Sequence, residues 1–424
     1  MDTLQKKFEK ELMKQFDYPT VATKIVKRQL EKKGVILTES QLRGLEQKFR
    51  INNGDNLHFD LDLSDEQNKL LGIEDKENID IDLGDPEREL EEIYQEFNKN
   101  LETTFPQIIN EMTLPVLSDL RKDAPSMLKK RRKDLRDFES RLRKDWKKPF
   151  DLLEMFLEIA TEAGDEFNNE FRKDERERKN FVLEALTRLH ARACQITSEI
   201  LVLLKSGFAD GAHARWRSLH EIAVVGSFIK THGNETAERY LLHNTIESFK
   251  AMNLYQKYQD ILGDEPISQK EYDSIKTLYE KLIAQFGSSY KNNYGWASSD
   301  LNKDNPSFSD IEEKSGLDYL RPYYKLASHN VHANPKGVMF KLGLLPDTNN
   351  ILLSGPSNVG FTDPAQGAAI SLGNITITLL TSIPTLDHLV ISNILLILQS
   401  EIGEEFFKVQ REIEDRFKDQ QKIE

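Results

Sequence analysis

Residues 181–230, FVLEALTRLHARACQITSEILVLLKSGFADGAHARWRSLHEIAVVGSFIK, read as two helices and the turn between them. In the first half Val182, Leu186, Leu189, Ala193, Ile196, Ile200 and Leu203 recur at three- and four-residue spacing, the period of an amphipathic helix. Ser206-Gly207 and Asp210-Gly211 mark the turn, and Ala212, Trp216, Leu219 and Ala223 resume the period beyond it. Two strongly apolar helices joined so tightly predict an antiparallel hairpin at the centre of a bundle.

Toward the C-terminus, helices are expected around Ala237–Leu262 and Gln269–Phe286, followed by a polar aromatic loop at 288–310. A further helix, DYLRPYYKLASHNVHAN (318–334), precedes Pro335. VMFKLGLLP (338–346) and NNILLSGP (349–356) predict a small β-hairpin. Thr362-Asp363-Pro364 opens another helix, with the aspartate as cap and the proline in the first turn. The apolar stretch Ile375 to Leu398 is interrupted by Pro384, Asp387 and His388, too early for the roughly 20 apolar residues of a span. It is expected to be buried core.

Toward the N-terminus the charge alternates by region. Residues 1–50 read as short helices, with Ser40 near a helix start. Residues 51–86 hold the alternating patterns HFDLDLS (58–64) and NIDIDLGD (78–85), an acidic linker or small strands. From 51 to 100 there are 16 acidic and 4 basic residues, whereas 121–148 holds 13 basic and 5 acidic. That inversion makes Lys129, Lys130, Arg131 and Arg132 candidates for gripping RNA phosphates, with pairing to the acidic strip or plain solvation as the alternatives. The expected parts are a helical segment (1–50), the acidic stretch (51–86), long charged helices (87–148), the bundle (149–400) and a charged helical tail (401–424).

Composition supports a mainly α chain. Charged residues are 30% of the 424, while glycine (21) and proline (14) are sparse, which suits long helices with charged outer faces. A net charge of −13 argues against nucleic-acid or membrane binding over the whole surface, but not against a local basic groove. The single cysteine, Cys194, permits no intramolecular disulfide and is expected to be a buried thiol in a reducing, cytoplasmic setting. The first residues, MDTLQKKFEKELMKQF, lack the apolar core of a secretory signal. No membrane association, cofactor or metal is expected.

Chemistry concentrates on two polar helical stripes. At 100° per residue, Ser328 and His332 lie within about 20° of Arg321, flanked by Tyr324 and Lys325. His332 falls in the last turn expected before Pro335, where it could serve as a general acid or base. The other stripe is His213, Arg217 and Glu221, with His220 beside them. Buried charges need partners, so two such stripes in an apolar bundle are expected to face each other. The competing expectation is that Arg217 and Glu221 are an ion pair bracing the bundle. His329 and His332 form an HxxH without the companions a zinc site requires.

FADGAHARWRSLHE (208–221), YGWA (294–297) and YYKLASHNVHANPKG (323–337), in that order, resemble the bacterial domain-of-unknown-function family numbered 5677, over about Phe181 to Leu380. Its helical-hairpin organisation is similar to the HEPN superfamily of nucleotide-binding and ribonuclease domains, to which abortive-infection proteins also bear likeness. The resemblance implies a HEPN-like antiparallel bundle and an RNA-directed effector, a metal-independent ribonuclease of phage defence or stress response. The catalytic set expected from the two stripes is His332, Arg321, Arg217, Glu221 and Ser328, with the arginines on phosphate and His332 moving the 2′-hydroxyl proton. Tyr324, His220, His213 and His329 would line the substrate. HEPN ribonucleases place a histidine four to six residues after an arginine; Arg215 and His220 have that spacing but would lie about 140° apart on a helix. A non-catalytic interaction or nucleotide-sensing module is the alternative. A homodimer and a protein partner for the N-terminal region are further expectations.

Overall fold

The structure is a computed structural model that describes residues 6, 13, 17–51, 63–71, 86–263, 265–345, 348 and 351–422. The chain divides into two compact units, Met1–Lys129 and Lys130–Glu424. Among the described residues the regular structure is helical throughout.

In the first unit, α1 (Tyr18–Lys32) and α2 (Glu39–Ile51) pack through Ala22, Val26 and Leu30 against Leu45 and Phe49. The start of α2 is set by Thr38 rather than Ser40: Gln41 N–H donates to Thr38 Oγ1 (3.3 Å) while Gln41 Oε1 accepts from Thr38 N–H (2.9 Å). This reciprocal capping box satisfies two donors the helix leaves orphaned. A short α3 (Asp65–Leu71) is capped the same way by Ser64 and Gln67. The strand-like patterns at 58–64 and 78–85 lie almost entirely outside the described residues. Pro86–Glu177 is one continuous helix, α4, where several were expected over 87–148.

The second unit is built on the hairpin of α5 (Phe181–Lys205) and α6 (Ala209–His232). A Cβ on Gly211 would sit 3.7 Å from Leu203, and one on Gly226 would sit 3.5 Å from Leu186, so the two helices run in opposite directions. Leu186, Leu189, Ala193, Ile196 and Ile200 are buried, as their spacing predicts. Gly207 closes the turn at φ +84°, where a Cβ would strike the Phe138 ring at 2.7 Å. Only glycine meets both demands.

Helices α7 (Asn234–Leu262), α8 (Gln269–Phe286), α9 (Phe308–Ser315) and α10 (Arg321–Val331) follow, then α11 (Thr362–Leu380) and α12 (Leu386–Gln421). Small residues let α11 approach α6 closely: Ala365, Ala368 and Ala369 are fully buried, and a Cβ on Gly367 would lie 2.8 Å from the Trp216 indole. The indole N–H donates to Ser371 Oγ at 3.0 Å, satisfying a buried donor. Helix α12 buries Leu395, Leu398, Ile402 and Phe406, the last against Trp146 and Phe150 of α4.

Three expectations are corrected here. No strand occurs at 338–356 among the described residues; Pro335–Met339 is a short helix, and the Leu342 N–H donates to Asp210 Oδ1 (3.0 Å) instead of to a facing strand. The cap of α11 is Phe361, with Asp363 inside the first turn, where burial raises its pKa. Residues 386–397 are not all core, since Leu386, Leu389, Val390, Leu396 and Ile397 are exposed. Among the described residues, Leu386–Gln420 is the helix long and apolar enough to cross a membrane by length and composition.

Candidate functional site

Three elements bring the polar side chains together. Helix α9 is fixed at its start by Ser307, whose N–H donates to Asp310 Oδ2 (2.7 Å), and at its end by Gly316 in the left-handed region at φ +73°. That placement buries Glu312 completely beneath α6. Helix α10 starts at Arg321 with Pro322 in its first turn, which places Arg321 and Tyr324 toward the same helix.

Two linked clusters result. In the deeper one, His220 Nε2 lies 2.7 Å from Glu312 Oε1, and Arg321 forms an ion pair with the other carboxylate oxygen. His220 and Glu312 are both inaccessible to solvent. Burial pushes the His220 pKa down against the opposing pull of Glu312, so the ring is neutral and its Nε2 carries the proton donated to the carboxylate. Its Nδ1 has no hydrogen-bond partner.

In the shallower cluster, Tyr324 joins Arg217 and Glu221. The Tyr324 hydroxyl accepts from Arg217 Nη2 (2.8 Å) and donates to Glu221 Oε1 (2.6 Å), while Arg217 and Glu221 are also 3.1 Å apart. The Arg217 guanidinium lies 4.9 Å from the Tyr324 ring centre, a cation–π contact. Burial, then the Glu221 charge, raises the Tyr324 pKa, so this hydroxyl stays protonated. Arg217, Glu221 and Arg321 each keep about a third of their side-chain surface in solvent (28%, 34% and 28%), so water or a ligand reaches their edges only.

The two stripes therefore do meet, through Tyr324, while Arg321 reaches His220 by way of Glu312. Ser328 turns its hydroxyl back to the Tyr324 carbonyl at 2.8 Å. His332 is exposed and lies beyond the last helical residue, with extended φ −101°, ψ 149°. The helix stops a turn earlier than expected because Asn334 caps the next one, accepting from Lys336 N–H at 3.0 Å. His332 therefore lies off the helical stripe that Arg321 and Ser328 occupy. His329 is half-buried.

His213 faces the core instead, fully buried, with its ring stacked parallel to Trp216 at 5.3 Å. Neither ring nitrogen has a partner, and burial lowers its pKa to about 4. Arg215 pairs with Glu199 of α5 whereas His220 pairs with Glu312, so this arginine and histidine serve different partners, as their 140° separation requires. Lys129 ends the first unit and Lys130, Arg131 and Arg132 begin the second; all four are exposed.

Glu312 and Asp210 were not legible as site residues. The signal for Glu312 is a helical FSDIEEKS that buries Ile311, yet the preceding polar loop hides that helix. Asp210 read as a turn residue, but it also receives Asn330 Nδ2 at 3.3 Å and so ties α6 to α10.

Residues 183–349 match DUF5677, a family of unknown function. No curated protein and no solved structure matches the chain. The DUF5677 segment contains both polar clusters whole, from Arg217 to Tyr324, together with His332. It ends before α11 and α12, so the helix that packs under Trp216 comes from outside the matched residues. Among the described residues, no group of three or more His, Cys, Asp or Glu side chains is placed to hold a metal ion.

Proposed function

We propose that the chain is an RNA-directed effector of the kind used in bacterial phage defence or stress response, acting in the cytoplasm. The observation that carries this reading is the second unit's share of α4. Lys130, Arg131, Arg132, Lys133 and Arg136 are exposed there, and none has an ion-pair partner among the described residues. Lys130 and Lys133 have acids at i+4, Asp134 and Asp137, and pair with neither. Unpaired cations on a chain of net charge −13 suit a polyanion.

The test is binding of a labelled single-stranded RNA across a salt series. Each phosphate neutralised contributes about −0.7 to the slope of log affinity against log salt, so replacing Lys130, Arg131 and Arg132 with glutamine is expected to reduce the slope by about 2. An unchanged slope would remove this helix as the RNA surface.

Within this reading, Arg217 and Arg321 hold a phosphate at the exposed edge of the clusters, and His332, exposed outside them just past α10, is the proton carrier to be tested for metal-independent cleavage. Both His332→Ala and His332→Gln are then expected to lose about 10²–10⁴ in cleavage rate while melting like the parent. Excess chelator should leave the parent's cleavage untouched. A second reading is favoured by the pairing within the clusters. Each guanidinium already has a carboxylate, and His220 is sealed, which suits a nucleotide-sensing or interaction module without turnover. RNA bound tightly yet recovered intact by parent and His332 variants alike would select that reading.

A further inference from the structure

We propose that the exposed face of α12 is the two-fold interface of a homodimer in which this helix pairs antiparallel with its own copy. The proposal is independent of the RNA reading. Over its first three turns the helix shows Leu386 (78% exposed), Leu389 (51%), Val390 (51%), Leu396 (51%) and Ile397 (60%) to solvent, interrupted by Asn393. The opposite side is already occupied by the core through His388, Ser392, Leu395 and Leu398. With Ile394, these exposed side chains present on the order of 600 Å² of apolar surface, most of the about 800 Å² that each partner contributes to a standard interface. Isolated apolar residues on a surface need no explanation, whereas a continuous face of this size does.

Self-complementarity selects a second copy as the occupant. With the two-fold axis at Asn393, Leu389 meets Ile397 of the partner subunit and Val390 meets Leu396 of the partner subunit. Asn393 then faces its own counterpart, and an amide pair at the centre of an apolar seam fixes register. The same register carries Glu401 to the first turn of the partner's helix, whose dipole favours a carboxylate. An anionic membrane fits less well, because residues 382–407 contain Asp387, Glu401, Glu404 and Glu405 and no lysine or arginine.

Sedimentation of the full chain at micromolar concentration is expected to give twice the 49.0 kDa chain mass. Leu389→Glu with Ile397→Glu alters only exposed positions, so the variant should keep its helical signal and melting temperature and sediment as a monomer. In a Cys194→Ser background, Asn393→Cys should form a disulfide-linked dimer on mild oxidation, whereas Leu386→Cys, far from the axis, should not. A parent that stays monomeric at 50 micromolar overturns the proposal. So does a dimer indifferent to the glutamates, or one that fails to cross-link at position 393. Co-sedimentation of the parent with phosphatidylserine vesicles, abolished by the two glutamates, would assign the face to a membrane instead.

Discussion

Glu312→Ala is expected to lower the stability of the second unit by about 3 kcal/mol, because it strands two groups at once. Glu312 is inaccessible and joins His220 to Arg321. Its loss leaves the His220 N–H without an acceptor in a dry site and the Arg321 charge without its counter-ion. Arg321 keeps part of its surface in water, which holds the figure at the lower end for a broken buried pair. The fall in melting temperature should be roughly 5 °C for a unit of this size. Glu312→Gln preserves an acceptor for His220 and should recover part of the loss. Replacing His220, Glu312 and Arg321 together with apolar residues of similar volume should be far milder than Glu312→Ala alone, since no unpaired partner remains. A Glu312→Ala variant that melts within about 0.5 kcal/mol of the parent would sink the assignment of this cluster as a structural brace.

Acid is the second large lever. Burial lowers the pKa of His190 and His213 to about 4 in the fold, whereas an unfolded histidine titrates near 6.5. Between those values the unfolded chain binds more protons, so stability rises with pH across the window. Their contribution is whole above pH 6.5 and is lost as pH falls toward 4. Each histidine should cost about 2–3 kcal/mol by pH 4.5. The strongly lowered carboxyls, Glu184 and Asp310 at about 2, lose most of their contribution only at lower pH, which leaves the upper window to the histidines. Urea melts from pH 7 to 4.5 measure the slope. His213→Phe should flatten it by one histidine's share, and because both His213 nitrogens lack partners it should cost little at pH 7. A parent whose stability is level from pH 6.5 to 4.5 would show that water reaches these rings.

Much of the site was legible as composition and little of it as geometry. Arg217, Glu221, Arg321 and Tyr324 stood out because polar residues at helical spacing inside an apolar pattern must find partners; three of them find each other, and Arg321 finds Glu312. His332 stood out for the same reason and does not join them. Its angular position was inferred from a helix that ends at Val331, and one residue outside the helix is enough to void the inference. Glu312 escaped because its role depends on a neighbour 92 residues away in sequence, His220, which no local period can reveal.

Local periodicity by itself determined the α5–α6 hairpin and which face of α5 turns inward, because a 3.6-residue repeat of Leu, Ile and Ala has one low-energy way to bury itself. Ser206-Gly207 marked the turn locally, and the tertiary structure added why only glycine fits, a positive φ against the Phe138 ring. Only the tertiary structure decided that Leu342 is pinned by Asp210 rather than paired in a strand, since a single carboxylate took the backbone donor a hairpin would need. The tertiary structure likewise decided that α12 is core on one side and bare on the other. From Leu386 to Leu398 its sequence is apolar on most sides, and the pattern is silent on which side the rest of the chain covers.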